Sequence, residues 1–370
     1  MAGIYVHIPF CKSKCAYCNF FSVVSEKQRV DFLDVLKSEA VARRQYLGDE
    51  EVRTVYFGGG TPSLLEPVEI KGILDVLRQN FKIIKNPEIT LEANPDTVSK
   101  ETLLEYKSMG INRLSIGIQS FFDDDLQYLS RKHDSKHARD VLEWTQEVGF
   151  LDVTMDLIYG IPTLTEEKWR KNLEIFFSTD INHLSAYALT VEENTALGRR
   201  INKGVVAALS EEETVRHYEI LVEMAENQGF EHYEISNFAR PGHYSKHNTL
   251  YWRGEKYLGL GPSAHSFDGV SRQWNVANVK EYCENCSFER EALTLYDRYN
   301  EYVMTSLRTM WGIDLEYIRR NFGDEYAEKS KKNLKKYILE EKIYQKDEKY
   351  ILNDNGMLFA DGIAAELFLL

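Results

Sequence analysis

Short apolar runs alternate with longer amphipathic stretches along the first half of the chain. Runs rich in β-forming residues occupy 3–8, 52–57, 88–92, 113–118, 152–158 and 183–189. Between them, 27–44, 67–80, 100–109, 135–148 and 166–177 repeat their apolar residues at helical spacing, one stripe to each stretch. Strand and helix taking turns predict βαβ units and a parallel sheet. Because parallel crossovers are right-handed, six such units curl into an open α/β barrel, a partial (β/α)6 version of the TIM architecture. Function is then expected in the loops after the strands. A further helical pattern at 211–228 leads into a segment dense in Gly, His and aromatic residues from His232 to Trp274. From about Leu293 helices prevail, and 342–345 with 350–352 read as a closing β-hairpin, the pattern of a winged-helix-like module. The expected domains are thus 1–230 (partial barrel), 231–290 (His/aromatic-rich extension) and 291–370 (C-terminal module).

Composition narrows the class. The chain has 45 Lys+Arg against 58 Asp+Glu, a net charge of −13, which argues against general coating of nucleic acid. It is 43% hydrophobic and 28% charged, so it is neither disordered nor collagen-like, and no apolar stretch approaches a membrane span of about 18 residues. The first residues carry neither a basic region nor a long apolar run, so a secretory signal is not expected and the cytoplasm is the expected compartment.

The five cysteines add chemistry. Cys11, Cys15 and Cys18 lie in C-x3-C-x2-C spacing just after the first predicted strand, while Cys283 and Cys286 form a separate pair. Such tight spacing suits metal ligation better than independent disulfides. Three thiolates hold three irons of a [4Fe–4S] cube and leave the fourth iron open. A structural zinc site would need a fourth ligand, for which His7 is the candidate. Gly58, Gly59 and Gly60 follow the second strand, where the lack of side chains lets a ligand approach the backbone; the plain alternative is a tight turn. Cys283 and Cys286 have no further Cys or His pair at metal-site spacing, and no role is assigned to them.

With these motifs in place, residues 3–190 resemble the radical S-adenosylmethionine (SAM) superfamily, in which the open iron binds SAM. More closely, the stretch from Tyr5 to Cys11, the glycines with Thr61-Pro62-Ser63, Leu91 to Pro95, Gly117 to Phe121 and Asp156 to Pro162 resemble oxygen-independent coproporphyrinogen III oxidases and their relatives over nearly the whole chain. The resemblance implies Tyr5, Gly59 and Glu92 as contacts of cluster-bound SAM. It also implies Gly60, Thr61, Gln119, Arg131 and Asp156 as lining of the adjoining pocket. An arginine pairs carboxylates, and acidic residues accept hydrogen bonds from ribose hydroxyls or an ammonium. Taken singly, Arg131 also reads as a surface charge and Asp156 as a helix cap.

Two departures separate the chain from the oxidases. Their cysteine motif continues with a further Cys, where this chain has Asn19-Phe20, and they carry an N-terminal extension over the substrate. Radical decarboxylation needs water excluded from the reacting carbon, so these differences count against that reaction. The stretches Tyr233 to Ala239, His247-Asn248-Thr249-Leu250-Tyr251-Trp252 and Gly259 to Ser266 instead resemble the haem chaperone family HemW. That resemblance implies a [4Fe–4S] cluster, SAM and haem as cofactors. His247 is implied as an axial donor with Tyr251 and Trp252 as apolar walls, and His265 as a candidate second ligand. The alternative is a histidine hydrogen-bonded among core aromatics. Haem would be cargo for recipient haem proteins, respiratory and membrane-associated ones among them, and a homodimer is compatible with the resemblance. The remaining alternatives are a coproporphyrinogen III dehydrogenase and a nucleic-acid-modifying radical enzyme. The latter rests on eight lysines in 329–349, which alternate with Leu334, Tyr337, Ile338 and Leu339 as a solvated helix face would.

Overall fold

The computed structural model describes residues 1–207 and 210–369 of the chain. Six strands form the centre: β1 (Ala2–Ile8), β2 (Val52–Gly59), β3 (Ile83–Ala93), β4 (Arg113–Gln119), β5 (Asp152–Tyr159) and β6 (His183–Ala188). They pair in chain order and in parallel, and β1 does not pair with β6, so the barrel stays open. Residues on these strands such as Ile4, Val6, Val55, Phe57, Leu91, Ile116 and Met155 are almost fully buried. Covering helices make such near-continuous apolar strands possible.

Those helices are α1 (Arg29–Ala42), α2 (Pro67–Asn80), α3 (Lys100–Ser108), the short α4 (Asp123–Tyr128), α5 (Ser135–Val148) and α6 (Glu166–Phe177). Their ends follow local chemistry. Glu66 and Glu69 form a reciprocal capping box at the start of α2, with Pro67 in its first turn. Asp134 caps α5, and Gly149 ends it in the left-handed conformation.

After α7 (Ala196–Asn202) and α8 (Glu211–Asn227), the segment 231–290 adds strands to both edges of the same sheet. β7 (Glu231–Glu234) and β8 (Asn237–Ala239) extend β6. Following α9 (Lys246–Trp252), β9 (Lys256–Leu260) pairs in parallel with β1, and β10 (His265–Phe267), β11 (Ser271–Asn275) and, after α10 (Val279–Asn285), β12 (Phe288–Ala292) continue outward. The result is one 12-stranded sheet. A buried carboxylate ties the new edge to the barrel. Glu39 on α1 accepts hydrogen bonds from Tyr282 Oη at 2.6 Å, Asn275 Nδ2 at 2.7 Å and Gly261 N at 2.9 Å.

The C-terminal module comprises α11 (Leu295–Leu307), β13 (Ile313–Asp314), α12 (Leu315–Phe322), α13 (Asp324–Leu339), the hairpin β14 (Ile343–Lys346) and β15 (Lys349–Leu352), α14 (Asp354–Met357) and α15 (Ala360–Leu367). Its separate three-stranded sheet has the order β13-β15-β14, the helices-plus-wing pattern. On α13, Lys329 and Lys336 are engaged with Glu325 and Glu366, and Leu334 and Tyr337 are buried, as a solvated face opposite a packed one requires. Among the described residues, no helix is long and apolar enough to cross a membrane.

Candidate functional site

The loops and strand ends at the C-terminal side of the barrel enclose a cavity of about 440 Å³. Cys11, Cys15 and Cys18 from the β1–α1 loop line one part of it, and Glu92, Ser115, Asp156 and Tyr187 from β3 to β6 line another. Parallel register brings the polar groups together: Glu92 stands opposite Ser115, and Asp156 opposite Ser185.

The three thiols line one cavity, the placement that the cluster expectation requires. The Thr61 hydroxyl donates to Cys11 Sγ at 3.4 Å, and Arg131 Nη1 donates to Cys15 Sγ at 3.4 Å. Burial pushes the Cys11 and Cys18 thiols up, so iron must displace protons to bind them. Among the described residues, no three His, Cys, Asp or Glu side chains converge on a single-ion site. Thiolates that each hold a different iron of a cube need no such convergence. His7, the candidate fourth zinc ligand, is committed elsewhere: Nε2 lies 3.0 Å from Phe21 O, and Nδ1 lies 3.2 Å from Tyr5 Oη. Burial lowers its pKa to about 4, which keeps the ring neutral.

Arg131 is no free surface charge. Its Nη2 donates to Asn94 Oδ1 at 2.7 Å and Gly117 O at 2.8 Å, which fixes the guanidinium beside the cysteine loop. Gly117 makes this possible, since a Cβ there would lie 2.8 Å from Gln119 Nε2 and 3.1 Å from Arg131 Nη2. Gln119 itself sits at φ 69°, a left-handed conformation uncommon for a side-chain-bearing residue, and lines the cavity. Asp156 is no helix cap but a mid-strand residue of β5 that accepts from Ser115 Oγ at 3.1 Å. Burial, and then the nearby charge of Glu92, raise its pKa to about 7. Burial also raises Glu92, which accepts from Tyr56 Oη at 2.8 Å and Gly59 N at 3.1 Å. Two half-buried carboxylates facing one cavity favour a cationic ligand.

Gly59 and Gly60 take part through the backbone. Gly59 has φ 110°, and a Cβ there would lie 2.6 Å from the His7 ring, so its side-chain direction points away from the ligand space. At Gly60 a Cβ would lie 2.7 Å from Phe10 O. Thr61 lines the cavity beside Cys11. Tyr5 is placed one shell back: its ring stacks on Tyr56, and Tyr56 is the tyrosine that reaches the cavity. Tyr56, Ser115 and Tyr187 escaped the sequence reading. A tyrosine or serine in an apolar strand looks like core, and only the strand register shows which face it lines.

The haem expectation meets a different geometry. His247 is 1% exposed. Its Nδ1 lies 2.7 Å from Thr54 Oγ1 and its Nε2 lies 2.8 Å from Tyr251 Oη, so both nitrogens are engaged. Burial lowers its pKa to about 3. In this conformation the ring is a buried strut between β2 and α9, hydrogen-bonded at both nitrogens. Tyr251 and Trp252 line a second, smaller cleft of about 240 Å³. His265 is an exposed residue of β10 stacked on Trp274 and lines neither space. Cys283 and Cys286 lie on and just after α10; burial raises both thiols, Cys286 to about 12.

A family model of the radical SAM superfamily matches residues 5–175, and that of the HemN C-terminal domain matches 293–359. The heme chaperone HemW of Bacillus subtilis is 33% identical over 335 residues, covering 88% of this chain and 87% of its own. The chain belongs to the HemW family of radical SAM proteins. The heme chaperone HemW of Mycobacterium tuberculosis (strain H37Rv) is 32% identical over 375 residues, 99% of this chain and 94% of its own. Among solved structures, the radical SAM enzyme coproporphyrinogen III oxidase (HemN) from Escherichia coli superposes with a TM-score of 0.85 over 99% of this chain and 90% of that one, at 24% identity. That likeness shows a shared fold between the HemW-family chain and the oxidase.

Proposed function

We propose that this protein is a haem chaperone that holds a [4Fe–4S] cluster on Cys11, Cys15 and Cys18, binds SAM in the adjoining cavity and passes haem to recipient haem proteins. The observation that carries this reading is similarity along nearly the whole chain to proteins named heme chaperone HemW, 33% identical over 88% of the chain in one case. The site supports it. A cavity of about 440 Å³ suits one ligand of nucleoside size, since sites for a drug-sized molecule run from about 300 Å³ upward. Phe20, 71% exposed at its mouth, stands where the oxidase pattern continues with a cysteine.

Within this reading, Glu92 and Asp156 accept hydrogen bonds from the ribose hydroxyls or ammonium of SAM, and their charge suits its cationic centre. Arg131 offsets the negative charge gathered by the thiolates, and Thr61 holds Cys11 in place. When bound, a reduced cluster would supply one electron to SAM. The polar groups of β2 to β5 orient the ligand against the cysteine loop.

The test is anaerobic incubation of the reconstituted protein with SAM and a reductant, plus either haem or coproporphyrinogen III, followed by mass spectrometry. Coproporphyrinogen III is expected back unchanged, while haem stays with the protein until an apo-haemoprotein removes it. Formation of protoporphyrinogen IX at one equivalent or more would establish the oxidase reading instead.

A further inference from the structure

One row of four side chains runs from the ligand cavity to the seam with the C-terminal module. Asp156 on β5 stands opposite Ser185 on β6, Ser185 opposite Asn237 on β8, and Asn237 opposite Glu234 on β7. Cross-strand partners share a face of the sheet, so the four can touch in turn. Asp156 lines the cavity, Ser185 and Asn237 are buried, and Glu234 is 1% exposed. Ser185 Oγ donates to Asn237 Oδ1 at 2.6 Å, and Asn237 Nδ2 donates to Glu234 Oε1. Ser185 is also hydrogen-bonded to Asp156. Backbone contacts fix the far end: Ile235 N donates to Arg308 O at 2.9 Å, and Met310 N to Tyr233 O at 3.0 Å. Among the described residues Glu234 has no ion pair, and Arg308, whose charge it feels, donates through Nε to Asp361 at 2.8 Å instead. Burial raises the Glu234 carboxyl to about 8, so it keeps its proton at neutral pH.

Hydrogen-bond direction ties the two ends of the row together. A hydroxyl has one proton to give, and an amide has one donor end and one acceptor end. With Ser185 donating to Asn237, the Ser185 oxygen can only accept from Asp156, which must then bear a proton. An Asp156 anion needs the Ser185 hydroxyl turned toward it. Asn237 must then present Nδ2 to Ser185 and Oδ1 to Glu234, and a protonated Glu234 supplies the matching donor.

We propose that Glu234 is a positioning residue for the cavity ligand: acting through Asn237 and Ser185, it lets the row reverse and hold Asp156 as an anion against a cationic ligand. This deepens the SAM reading above and rests on it. Asp156 gives its proton to solvent in the cavity as the ligand enters, and Glu234 keeps its own throughout. The charged and titratable groups facing Asp156 are Glu92, Arg131, Tyr56 and Tyr187. Those facing Glu234 are Arg308, Tyr187 and Tyr233.

The experiment follows SAM binding to the full-length, cluster-reconstituted protein by anaerobic calorimetry at a series of pH values around neutrality. The parent is expected to bind more tightly as pH rises through about 7, where Asp156 ionises. Glu234→Leu is expected to weaken binding about tenfold at neutral pH and to move the midpoint up by about one pH unit, because the anion loses a charge-assisted hydrogen bond. Glu234→Gln, whose amide both accepts and donates, is expected to restore the affinity and midpoint of the parent. Ser185→Ala is expected to match Glu234→Leu, and the double variant to be no weaker than either, since both act along one path. Ser185→Ala removes a single hydroxyl and so reads the row even where Glu234→Leu disturbs folding. Glu39→Ala, at the other side of the sheet, is the structural control, expected to lower stability and leave the pH midpoint in place. An unmoved midpoint in Glu234→Leu and Ser185→Ala, failure of Glu234→Gln to restore binding, or additive losses in the double variant would overturn the row while leaving SAM binding standing. A parent that binds no SAM at any pH would remove both readings.

Discussion

Cys11, Cys15 and Cys18 are the residues whose chemistry follows most directly from their spacing. Replacing any of them with Ser is expected to abolish the broad visible absorbance of the reconstituted cluster, because a cube left with two thiolates is poorly held. Cys283→Ser is expected to leave that spectrum intact, since its half-buried thiol lines no part of the cavity. Asp156 gives a prediction in pH. Its native pKa of about 7 lies above the ordinary 3.8, with burial as the main cause and Glu92 as the second. The folded protein therefore holds this proton more tightly than the unfolded chain. Its favourable contribution is complete below the unfolded pKa and is lost as pH rises through about 7. Asp156→Asn should then raise the melting temperature of the ligand-free protein by a few degrees at pH 8, a gain that shrinks toward pH 4. Thermal unfolding across that range checks it, and a gain that grows on acidification would contradict the assigned cause. The same substitution should weaken SAM binding at pH 8, measured by anaerobic calorimetry, because it removes one of the two carboxylates facing the ligand.

At the level of elements, the barrel's first helix doubles as the anchor for the last strands of the sheet. Glu39 on α1 is 4% exposed and satisfies Gly261, Asn275 and Tyr282 together, with Arg43 Nη1 3.3 Å away. Glu39→Ala would leave these donors unpaired in a buried place, with an expected cost of about 3–5 kcal/mol. Urea unfolding should show this loss as a lower midpoint. Limited proteolysis should show early cleavage in 260–290, the segment that Glu39 holds. A glycine enforces the same docking: a Cβ at Gly261 would lie 2.5 Å from His7 O on β1. Strand and helix positions in the barrel were legible because each unit buries one periodic face. The pairing of β9 with β1 was not, because it joins residues some 250 positions apart and leaves no local pattern.

For the whole molecule, charge and module combine into a negative prediction. The lysines of α13 form the solvated face of a helix in a chain of net charge −13, and Lys329 and Lys336 already have acidic partners. Filter binding with single-stranded RNA is expected to show no retention at about 0.1 M salt. Retention that weakens steeply with added salt would mark a phosphate-binding surface and revive a nucleic-acid substrate. The two cavities also sit in different parts of the fold. One lies at the C-terminal ends of the barrel strands, where β/α barrels carry their chemistry. The other lies where the sheet extension meets the C-terminal module, a place that exists only once both have folded.

By itself the sequence determined the alternation of six strands and their helices, the cysteine cluster, the acidic and glycine residues on or beside successive strands, and the helical end with its hairpin. Each is a local pattern, and local patterns survive in one dimension. Tertiary structure alone decided which side chains face the cavity, since the two faces of a strand differ only by register. It made Tyr56 rather than Tyr5 a lining residue and turned the Cβ direction of Gly59 toward His7. It also decided the hydrogen-bond partners of His247. A motif supplies an imidazole, but Thr54 and Tyr251, distant and near in the chain, take both of its nitrogens. Whether a donor is free depends on every group folded against it, and those groups meet only in three dimensions.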